Sequence, residues 1–458
     1  MKMWVAQNWI LLLTSLGFFM AMMDTMIVTT ASMAIRTQFQ ISVRSLQWAM
    51  NAYNITIAAV LLIGVAMGER LGRRKIYNWG ILVFTLGSIL CALAPNISWL
   101  IIARVIEGIG ASVMTPMSMA ILTNSLPASQ RGRALGIWGG IGGLALIVGP
   151  SLGGLIVAQL AWQWIFWINV PVGGLAILWS RRHLPESHGQ SAPINLVDNG
   201  LIITAMAGIV WALSAANSSG GKLALVVGSM SLVAGGWFIH RQSQEVLPMV
   251  PLVLFRNKIF IGANLATASL YGSMYGVVFF LPQYLQVSQQ ANALTAGLEL
   301  LPWTGTLVVV APFAGRAVDR FGERWVATIG LGLQGLGYLL IAILVRQPYS
   351  WLVVPLMLTG VGLSMAGPAL QKSVLGAVPS MMIGKASGIY NIFRLLGGAV
   401  GTTVAVMIFY QFHGSTFTNG FRATMLGAAS MSLVGIVWSS RLHLSRAHAT
   451  EETTDLQS

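Results

Sequence analysis

Fourteen apolar runs, each about long enough to cross a lipid bilayer, account for most of this chain. A helix needs roughly 20 apolar residues to span the hydrocarbon core. The runs lie at about 9–33, 46–68, 77–94, 99–122, 133–157, 162–180, 198–216, 223–240, 259–284, 296–315, 326–345, 351–371, 386–410 and 421–440. Only 8% of the residues are charged and the mean hydropathy is +0.74, which excludes a soluble domain. We predict an all-α polytopic membrane protein with fourteen transmembrane helices.

The first run has one feature of a cleavable signal peptide, since residues 32–34 read Ser-Met-Ala. Asp24 inside the run argues against cleavage, as does the length of the run. We therefore expect the first run to be retained as a helix.

The distribution of Lys and Arg predicts the orientation of the chain. With the N-terminus in the cytoplasm, nineteen of the 26 basic residues fall on the inner side and five on the outer side. Cytoplasmic loops of membrane proteins carry such an excess. The bias predicts cytoplasmic termini and an even number of helices. It also explains the net charge of +14 without a nucleic-acid partner.

Several classes of chemistry lack their residue patterns. Cys91 is the single cysteine, and the six histidines show no ligand set at metal spacing. No glycine-rich loop ends in Lys-Ser or Lys-Thr, as a nucleotide-binding loop would. We therefore expect no metal, no cofactor, no obligate protein partner and no enzymatic activity.

Two predicted cytoplasmic loops share an order of residues. Residues 68–74 read Gly-Glu-Arg-Leu-Gly-Arg-Arg, and residues 315–324 read Gly-Arg-Ala-Val-Asp-Arg-Phe-Gly-Glu-Arg. The shared order of an acid, Arg, any residue and Gly falls at Glu69, Arg70 and Gly72 in the first loop and at Asp319, Arg320 and Gly322 in the second. Arg73 adds a further basic residue to the first loop. Glycine permits a tight turn, and the acid can pair with arginines or cap the next helix. One such loop per half is typical of transporters built from two related bundles.

Residues 136–154 read GIWGGIGGLALIVGPSLGG inside the fifth run. Gly149, Gly153 and Gly154 would let neighbouring helix backbones approach closely. Pro150 removes a backbone donor and loosens the helix locally. The stretch predicts a helix built for close packing and a local irregularity.

These motifs, taken together, resemble those of the major facilitator superfamily, in its fourteen-helix drug:proton antiporter branch. The two loops resemble the loop signature of the superfamily, and residues 136–154 resemble its antiporter signature. Residues 101–111, IIARVIEGIGA, resemble the fourth-helix signature. Stretches 23–28, 162–173 and 391–398 are similar to stretches typical of the branch. The sequence departs from the usual residues at Val65, Glu69, Glu107 and Ala145.

The resemblance implies an architecture and a source of energy. Residues 1–181 and 259–442 would form two six-helix bundles, with two linker helices within 182–258 and a cytoplasmic tail at 443–458. Substrate would reach alternate sides of the membrane as the bundles rock. The proton gradient would drive transport.

Five charged residues fall within the apolar runs, namely Asp24, Arg104, Glu107, Glu299 and Arg394. A charge at a helix centre costs roughly 2.5–3.5 kcal/mol, so it usually faces a cavity or a partner. Asp24 is the first candidate for proton coupling, because a carboxylate in a partly dry cavity can bind and release a proton near neutral pH. It could also attract a cationic substrate. The alternative is a structural pair with an arginine.

The roles of the other four charges stay open. Arg104 matches the fourth-helix arginine that is implicated in proton coupling in the family, but it could merely neutralise Glu107 or Asp24. Glu107, one turn from Arg104, could carry a second proton or simply pair. Glu299 favours an interfacial position, with a substrate role as the alternative. Arg394 could anchor an anionic group or pair across helices.

Aromatic residues suggest a substrate cavity. The candidates for a cavity that binds flat cations are Tyr53, Trp138, Tyr271, Tyr275, Trp303 and Tyr390. Packing or an interfacial belt is the alternative for each.

The sequence predicts proton-coupled efflux of amphipathic, cationic compounds across a bacterial plasma membrane. The partners would be protons, a small lipophilic cation and the lipid bilayer. The alternative is a dedicated exporter or facilitator of a single metabolite, vitamin or organic anion, with Arg104 and Arg394 as substrate anchors.

Overall fold

The structure is a computed structural model that describes residues 2–189, 195–215, 221–245, 248–379, 382–414 and 416–442. The predicted tail at 443–458 lies outside the described residues. The helices are α1 (Lys2–Thr30), α2 (Ser32–Phe39), α3 (Val43–Leu71), α4 (Arg73–Ala92), α5 (Ile97–Asn124), α6 (Ala128–Gln159), α7 (Trp164–Trp167), α8 (Asn169–His183), α9 (Leu196–Ala215), α10 (Gly221–Gln244), α11 (Lys258–Val287), α12 (Ala293–Leu298), α13 (Leu301–Phe321), α14 (Glu323–Leu344), α15 (Val353–Gly376), α16 (Ile383–Phe412) and α17 (Phe417–Ser440). Short 3₁₀ helices at Leu252–Arg256 and Tyr349–Trp351 precede α11 and α15.

Within the described residues, thirteen helical segments are long and apolar enough to cross a membrane. The sixth predicted span, 162–180, is the exception, because it is divided into α7 and α8 at Ile168. Pro171 explains the division, since it has no N–H to donate to the carbonyl of Trp167. The two pieces together cover the predicted span, so the fourteen-helix architecture is confirmed.

A second proline interrupts the tenth predicted span in the same way. The helix breaks between α12 and α13, and Pro302 cannot donate to the carbonyl of Leu298. The first span is also divided, since α1 ends at Thr30 and the chain continues as α2. Each of these three predicted spans therefore consists of two consecutive helices.

The helices pack as two bundles. Helices α1, α3, α4, α5, α6 and α8 contact one another, and so do α11 and α13 to α17. Helix α9 contacts both α3 and α16, so the α9–α10 pair lies against the seam between the bundles. Val210 of α9, Ile55 of α3 and Ala399 of α16 form a small apolar cluster at that seam.

Corresponding helix crossings in the two bundles depend on glycine. A Cβ on Gly110 of α5 would lie 2.3 Å from the Phe84 nitrogen of α4. In the second bundle, a Cβ on Gly362 of α15 would lie 2.4 Å from the Gly330 oxygen of α14. Backbones that approach this closely leave no room for a side chain. The two bundles therefore share a packing solution as well as a loop motif.

The two bundles are joined by hydrogen bonds at the end of the molecule where α1 ends and α3 begins. Gln47 Nε2 donates to Thr403 Oγ1 at 2.6 Å, and Asn51 Nδ2 donates to the same oxygen at 3.0 Å. Arg36 donates to Gln283 Oε1 at 3.1 Å. This is the end that the charge distribution predicts to be periplasmic.

Candidate functional site

Asp24, Arg104 and Glu107 form one buried ion cluster. Arg104 Nη1 lies 2.5 Å from Asp24 Oδ2 of α1 and 2.7 Å from Glu107 Oε2 of its own helix α5. The side chains of the two acids are fully buried, and that of Arg104 is 2% exposed. The structure therefore brings together all three residues predicted for proton coupling.

Uncharged groups complete the cluster. Ser88 Oγ donates to Glu107 Oε1, and Cys91 Sγ lies 3.4 Å from Glu107 Oε2. Asn169 of α8 donates to Ser88 Oγ at 3.1 Å, which extends the network from α1, α4 and α5 to a fourth helix of the bundle. Both oxygens of the Glu107 carboxylate therefore have partners, Oε1 in Ser88 and Oε2 in Arg104 and Cys91.

Tyr53 of α3 covers the arginine. The guanidinium carbon of Arg104 lies 4.1 Å from the centroid of the Tyr53 ring. Arg104 Nε donates to the Ala49 carbonyl at 3.3 Å, and the Tyr53 hydroxyl donates to the Ala21 carbonyl at 3.1 Å. Tyr53 is thus part of the ion cluster, where stacking on the cation stabilises it.

Three glycines set the spacing of the helices that carry the cluster. A Cβ on Gly87 of α4 would lie 2.6 Å from the Cα of Glu107. One on Gly108 of α5 would lie 2.9 Å from the Tyr53 oxygen, and one on Gly149 of α6 would lie 2.9 Å from Met26 Cβ of α1. The cluster therefore depends on the close approach of five helices, α1 and α3 to α6.

The cluster contains one more acid than base. With both carboxylates ionised, Asp24 and Glu107 carry two negative charges against the single positive charge of Arg104. A single proton would balance them, and buried charges are tolerated best when they are balanced. Asp24 Oδ1 is buried and has no hydrogen-bond partner among the described residues. This oxygen therefore retains an unused acceptor position.

The first loop motif turns at a glycine and is capped from elsewhere. Gly72 has φ +105°, a conformation that favours glycine. Glu186, which follows α8, accepts hydrogen bonds from the backbone N–H groups of Arg74 at 2.9 Å and Lys75 at 3.1 Å. The cap of α4 is therefore Glu186, whereas the sequence had suggested Glu69 for capping or pairing. Glu69 contributes its carbonyl, which accepts from Gly189 N at 3.0 Å.

Arg70 and Arg73 flank this turn without an ion pair to a described residue. Arg70 is in the last turn of α3, and the backbone N–H of Arg73 donates to the Ser187 carbonyl at 2.8 Å. The loop thus docks on the segment after α8 chiefly through its backbone.

The second loop motif has the same turn and a different ion pair. Gly322 has φ +83°. Asp319 Oδ1 lies 2.7 Å from Lys372 Nζ of α15, and Glu323 Oε1 lies 3.4 Å from the same nitrogen. Arg320 lies near the Phe321 ring. The acid of this loop pairs with a lysine of another helix, rather than with the neighbouring arginines that the sequence had suggested.

The glycine-proline stretch of α6 has two contact faces. On one face, Gly153 approaches Ile27 of α1, three residues from Asp24. On the other face, a Cβ on Gly154 would lie 2.5 Å from the Ala293 carbonyl of the opposite bundle. The Pro150 carbonyl lies 2.4 Å from the Cβ position of Gly297. One helix therefore connects the surroundings of Asp24 to the contact between the bundles.

The aromatic candidates do not form one cavity. Trp138 stacks on Phe18 at 3.8 Å between ring centroids, within the first bundle. Trp303 is buried where its carbonyl meets Gly360 of α15. Glu299 is half-buried, with Oε2 lacking a partner among the described residues, and its carbonyl accepts from the Tyr349 hydroxyl at 2.8 Å. These residues lie apart from the ion cluster.

Four other residues that were predicted to line a substrate cavity lie next to one another. Arg394 of α16 lies with its guanidinium carbon 5.7 Å from the Tyr271 ring centroid. Tyr275 packs against Gly398, and the Tyr390 hydroxyl donates to the Gly367 carbonyl at 3.5 Å. The four side chains form a basic aromatic cluster between α11, α15 and α16.

Sequence reasoning missed the uncharged members of the ion cluster and the partners of the loops. Ser88, Cys91 and Asn169 are common residue types in apolar helices, so no cost of burial singles them out. Glu186 and Lys372 lie far along the chain from the loops that they contact. In the described part of the chain, no three His, Cys, Asp or Glu residues are grouped so as to hold a metal ion.

Comparison with known proteins gives the family. The Major Facilitator Superfamily matches residues 13–308 and 263–456, so the chain belongs to that superfamily. It is therefore a multi-pass membrane protein of a family of small-molecule transporters, and the expected family is confirmed.

Relatives include proteins named for drug resistance. The chain is 31% identical over 398 residues to multidrug resistance protein Stp of Mycobacterium tuberculosis (strain CDC 1551 / Oshkosh), covering 86% of this chain and 74% of that protein. It is 29% identical to the methylenomycin A resistance protein of Bacillus subtilis (strain 168), covering 94% and 93%. These names are consistent with the drug:proton antiporter branch.

A relative with a different name and a solved structure also match most of the chain. The chain is 27% identical to riboflavin transporter RibZ of Clostridioides difficile (strain 630), covering 94% of this chain and 96% of that protein. The partially occluded inward open conformation of the xylose transporter XylE from E. coli matches with a TM-score of 0.66 at 15% identity, covering 94% and 96%. This likeness shows the fold.

Proposed function

We propose that the protein is a proton-coupled exporter of amphipathic, cationic compounds that works by alternating access. It would lie in a bacterial plasma membrane with both termini in the cytoplasm. The observation that carries the proposal is the buried cluster in which Asp24 and Glu107 share Arg104. A cluster one proton short of charge balance is suited to take up a proton on one side of the membrane and release it on the other.

The proposed coupling is competition for Asp24. When a proton neutralises Asp24, the attraction for a cationic substrate disappears, and the substrate leaves. When the proton leaves, the carboxylate regains its charge, and Oδ1 can face a new cation. Gly153 and Gly154 support the coupling, because α6 packs on the helix of Asp24 and on the opposite bundle.

The test uses purified protein in liposomes with an imposed pH gradient and ethidium as the transported cation. Asp24→Asn is expected to reduce gradient-driven movement by at least about tenfold, because proton uptake is lost. Exchange of ethidium across the membrane without a gradient is expected to weaken as well, because the asparagine lacks the charge that attracts the cation. Glu299→Gln is the matched control, since Glu299 also has a buried carboxylate oxygen but lies outside the cluster.

Each alternative result has a distinct meaning. Gradient-driven movement that survives in Asp24→Asn but is lost in Glu107→Gln would move the coupling to Glu107. Equal loss in Glu299→Gln would show that the effect is not specific to the cluster. No movement of ethidium by a well-folded wild type would exclude the multidrug proposal.

A second candidate function is transport of a single metabolite, vitamin or organic anion. The relative named as a riboflavin transporter supports this candidate, and so does Arg394, which has no carboxylate partner among the described residues. The two candidate functions differ in the number of compounds that the protein would transport. Expression of a multidrug exporter is expected to raise the tolerance of cells to several unrelated cationic dyes, whereas a dedicated transporter would affect one compound.

A further inference from the structure

Arg394 is a partly buried base deep within a membrane-spanning helix. It is the twelfth of the thirty residues of α16, roughly 16 Å along the helix at 1.5 Å per residue. Its Nε is buried and has no hydrogen-bond partner among the described residues. A cation at such a depth is costly unless it faces a partner or a water-filled cavity.

The described residues provide no carboxylate for Arg394. Asp24 and Glu107 are both engaged by Arg104, and the other ion pairs of the described chain involve Arg74, Arg241 and Lys372. The two arginines within spans therefore differ in their partners. Arg104 is bound by two carboxylates, whereas Arg394 has no carboxylate partner among the described residues.

The surroundings of Arg394 are suited to a ligand. Tyr275 and Tyr390 are buried, whereas Arg394 and Tyr271 are only partly buried, so the cluster is accessible from one side. The guanidinium offers a planar fork of donors, and the nearby tyrosines add hydroxyl groups. Their rings provide flat apolar surfaces. A glycine at Gly367 keeps the space beside the Tyr271 hydroxyl free of a side chain.

We infer that Arg394, with Tyr271, Tyr275 and Tyr390, forms an anion subsite that binds the carboxylate of an amphipathic substrate. Arginine binds carboxylates with two parallel hydrogen bonds, which adds both affinity and orientation. The aromatic body of the substrate packs on the tyrosine rings. The inference rests on the proposed function in that the ligand is the exported compound, and it extends the substrate class to zwitterions and organic acids.

The two clusters then divide the recognition of a zwitterion. Its cationic group is attracted to Asp24 on the first bundle, and its carboxylate binds Arg394 on the second. Arg104 cannot serve as the anion anchor, because its guanidinium is already bound between two carboxylates. Of Arg104 and Arg394, the two arginines predicted as possible anchors of an anionic substrate, only Arg394 therefore remains.

A matched pair of dyes tests the subsite. Rhodamine B carries a free carboxylate, and its ethyl ester has the same ring system with the carboxylate blocked. Binding of each dye to the purified full-length protein is measured by fluorescence anisotropy for the wild type, Arg394→Gln and Arg394→Lys. Arg44→Gln is the control, because Arg44 is also partly buried and also lies over a tyrosine ring, that of Tyr410 at 5.3 Å.

The wild type is expected to bind the acid more tightly than the ester. Arg394→Gln is expected to weaken binding of rhodamine B by about tenfold or more, the usual effect of losing a hydrogen-bonded charge. Binding of the ester is expected to stay within about twofold. Arg394→Lys retains the charge without the fork and is expected to lie between the two, and Arg44→Gln is expected to match the wild type.

Two results would overturn the inference. One is a wild type without preference for the acid, and the other is an Arg394→Gln variant that loses both dyes equally. If Arg394→Gln does not fold, as judged by size exclusion and thermal unfolding, Tyr271→Phe replaces it. That variant removes one hydroxyl and is expected to weaken only the acid, by a few-fold.

Ethidium separates this inference from the proposed function. Ethidium has no carboxylate, so its gradient-driven movement is expected to persist in Arg394→Gln. If ethidium is moved but rhodamine B is not preferred, the subsite is wrong and the exporter stands. If the wild type does not move ethidium, the proposed function fails, whichever dye binds.

Discussion

Arg104 contacts two carboxylates but can balance only one. Replacing one partner of a buried ion pair usually costs about 3–5 kcal/mol, because the other charge is left buried and uncompensated. In this cluster the outcome depends on which residue changes. Loss of Asp24 leaves one acid and one base, whereas loss of Arg104 leaves two acids within the same buried space.

This asymmetry predicts different stabilities for the variants of the two residues. Arg104→Gln is expected to lower the unfolding free energy by about 3–5 kcal/mol, whereas Asp24→Asn is expected to be near wild type. Thermal unfolding of both variants in the same detergent measures the difference. Equal destabilisation of the two would show that the charge count does not govern the stability of the cluster.

For the ion cluster, the sequence could predict only the residues that carry a charge. Asp24, Arg104 and Glu107 were identified because a charged residue inside an apolar run is costly. The sequence left open whether Arg104 pairs with Glu107 or Asp24, and it pairs with both. Ser88 and Asn169 carry no such cost, so only the packed helices reveal them.

Helix α6 packs both on the helix that carries Asp24 and on the opposite bundle. Gly153 packs on Ile27 of α1, and Gly154 packs on the backbone of α12. The contact to α12 is made by backbone atoms on both sides. A single added methyl group is therefore sufficient to disturb it.

Gly154→Ala is expected to move α6 and α12 apart where they contact each other, and so to separate the two bundles there. Its Cβ would lie 2.5 Å from the Ala293 carbonyl, a distance at which the backbone must shift. In an Ala296→Cys, Cys91→Ser background, the buried cysteine of α12 is expected to react faster with a membrane-impermeant maleimide.

Gly139→Ala on the same helix is the matched control, because nothing lies within 4 Å of its Cβ position. It is expected to label like the parent and to retain transport, since alanine favours the helix over glycine. Equal labelling of both alanine variants would contradict the role of Gly154 at the interface.

The sequence predicted the close packing of α6 but not its neighbours. Small residues mark a face that another backbone can approach, and they do not specify which one. The prolines of the predicted spans likewise did not reveal where a helix is interrupted. Pro171 and Pro302 lie inside or beside predicted spans, and the pattern of apolar residues continues across the interruptions that they cause.

Among the described residues, hydrogen bonds join the two bundles at the end where α3 begins. Gln47 and Asn51 of the first bundle share Thr403 of the second. If the bundles rock as rigid units, these hydrogen bonds must break in each cycle. The proposed mechanism therefore requires that this pair of helices separate.

A reversible crosslink tests the separation. Gln47→Cys and Thr403→Cys, in a Cys91→Ser background, are joined with a short bis-methanethiosulfonate reagent. Gradient-driven ethidium movement is expected to stop and to return on reduction. Asn78→Cys with Ser180→Cys is the control, because this hydrogen-bonded pair joins α4 and α8 within one bundle.

The control crosslink is expected to leave transport nearly unchanged. If the crosslink between the bundles also had no effect, the alternating-access proposal would need a different moving boundary. If both crosslinks stopped transport, internal motion of the first bundle would be required as well.

Of the whole fold, the sequence predicted what hydropathy and charge control. The number of spans and the two-bundle architecture agree with the structure, because each span must be apolar and every loop must return the chain. The contact of α9 with both bundles was not predicted. Lipid-facing and seam-facing helices have similar compositions, so the pattern of residues does not distinguish them.

The single missing proton of the ion cluster has a bioenergetic consequence. If one proton enters for each molecule exported, the export of a monovalent cation moves no net charge, so only the pH difference drives it. Export of a zwitterion moves one charge inward and also uses the membrane voltage, about 2.3 kcal/mol per 100 mV. A carboxylate on the substrate would then allow a steeper outward concentration ratio, even where the pH outside the cell equals the pH inside.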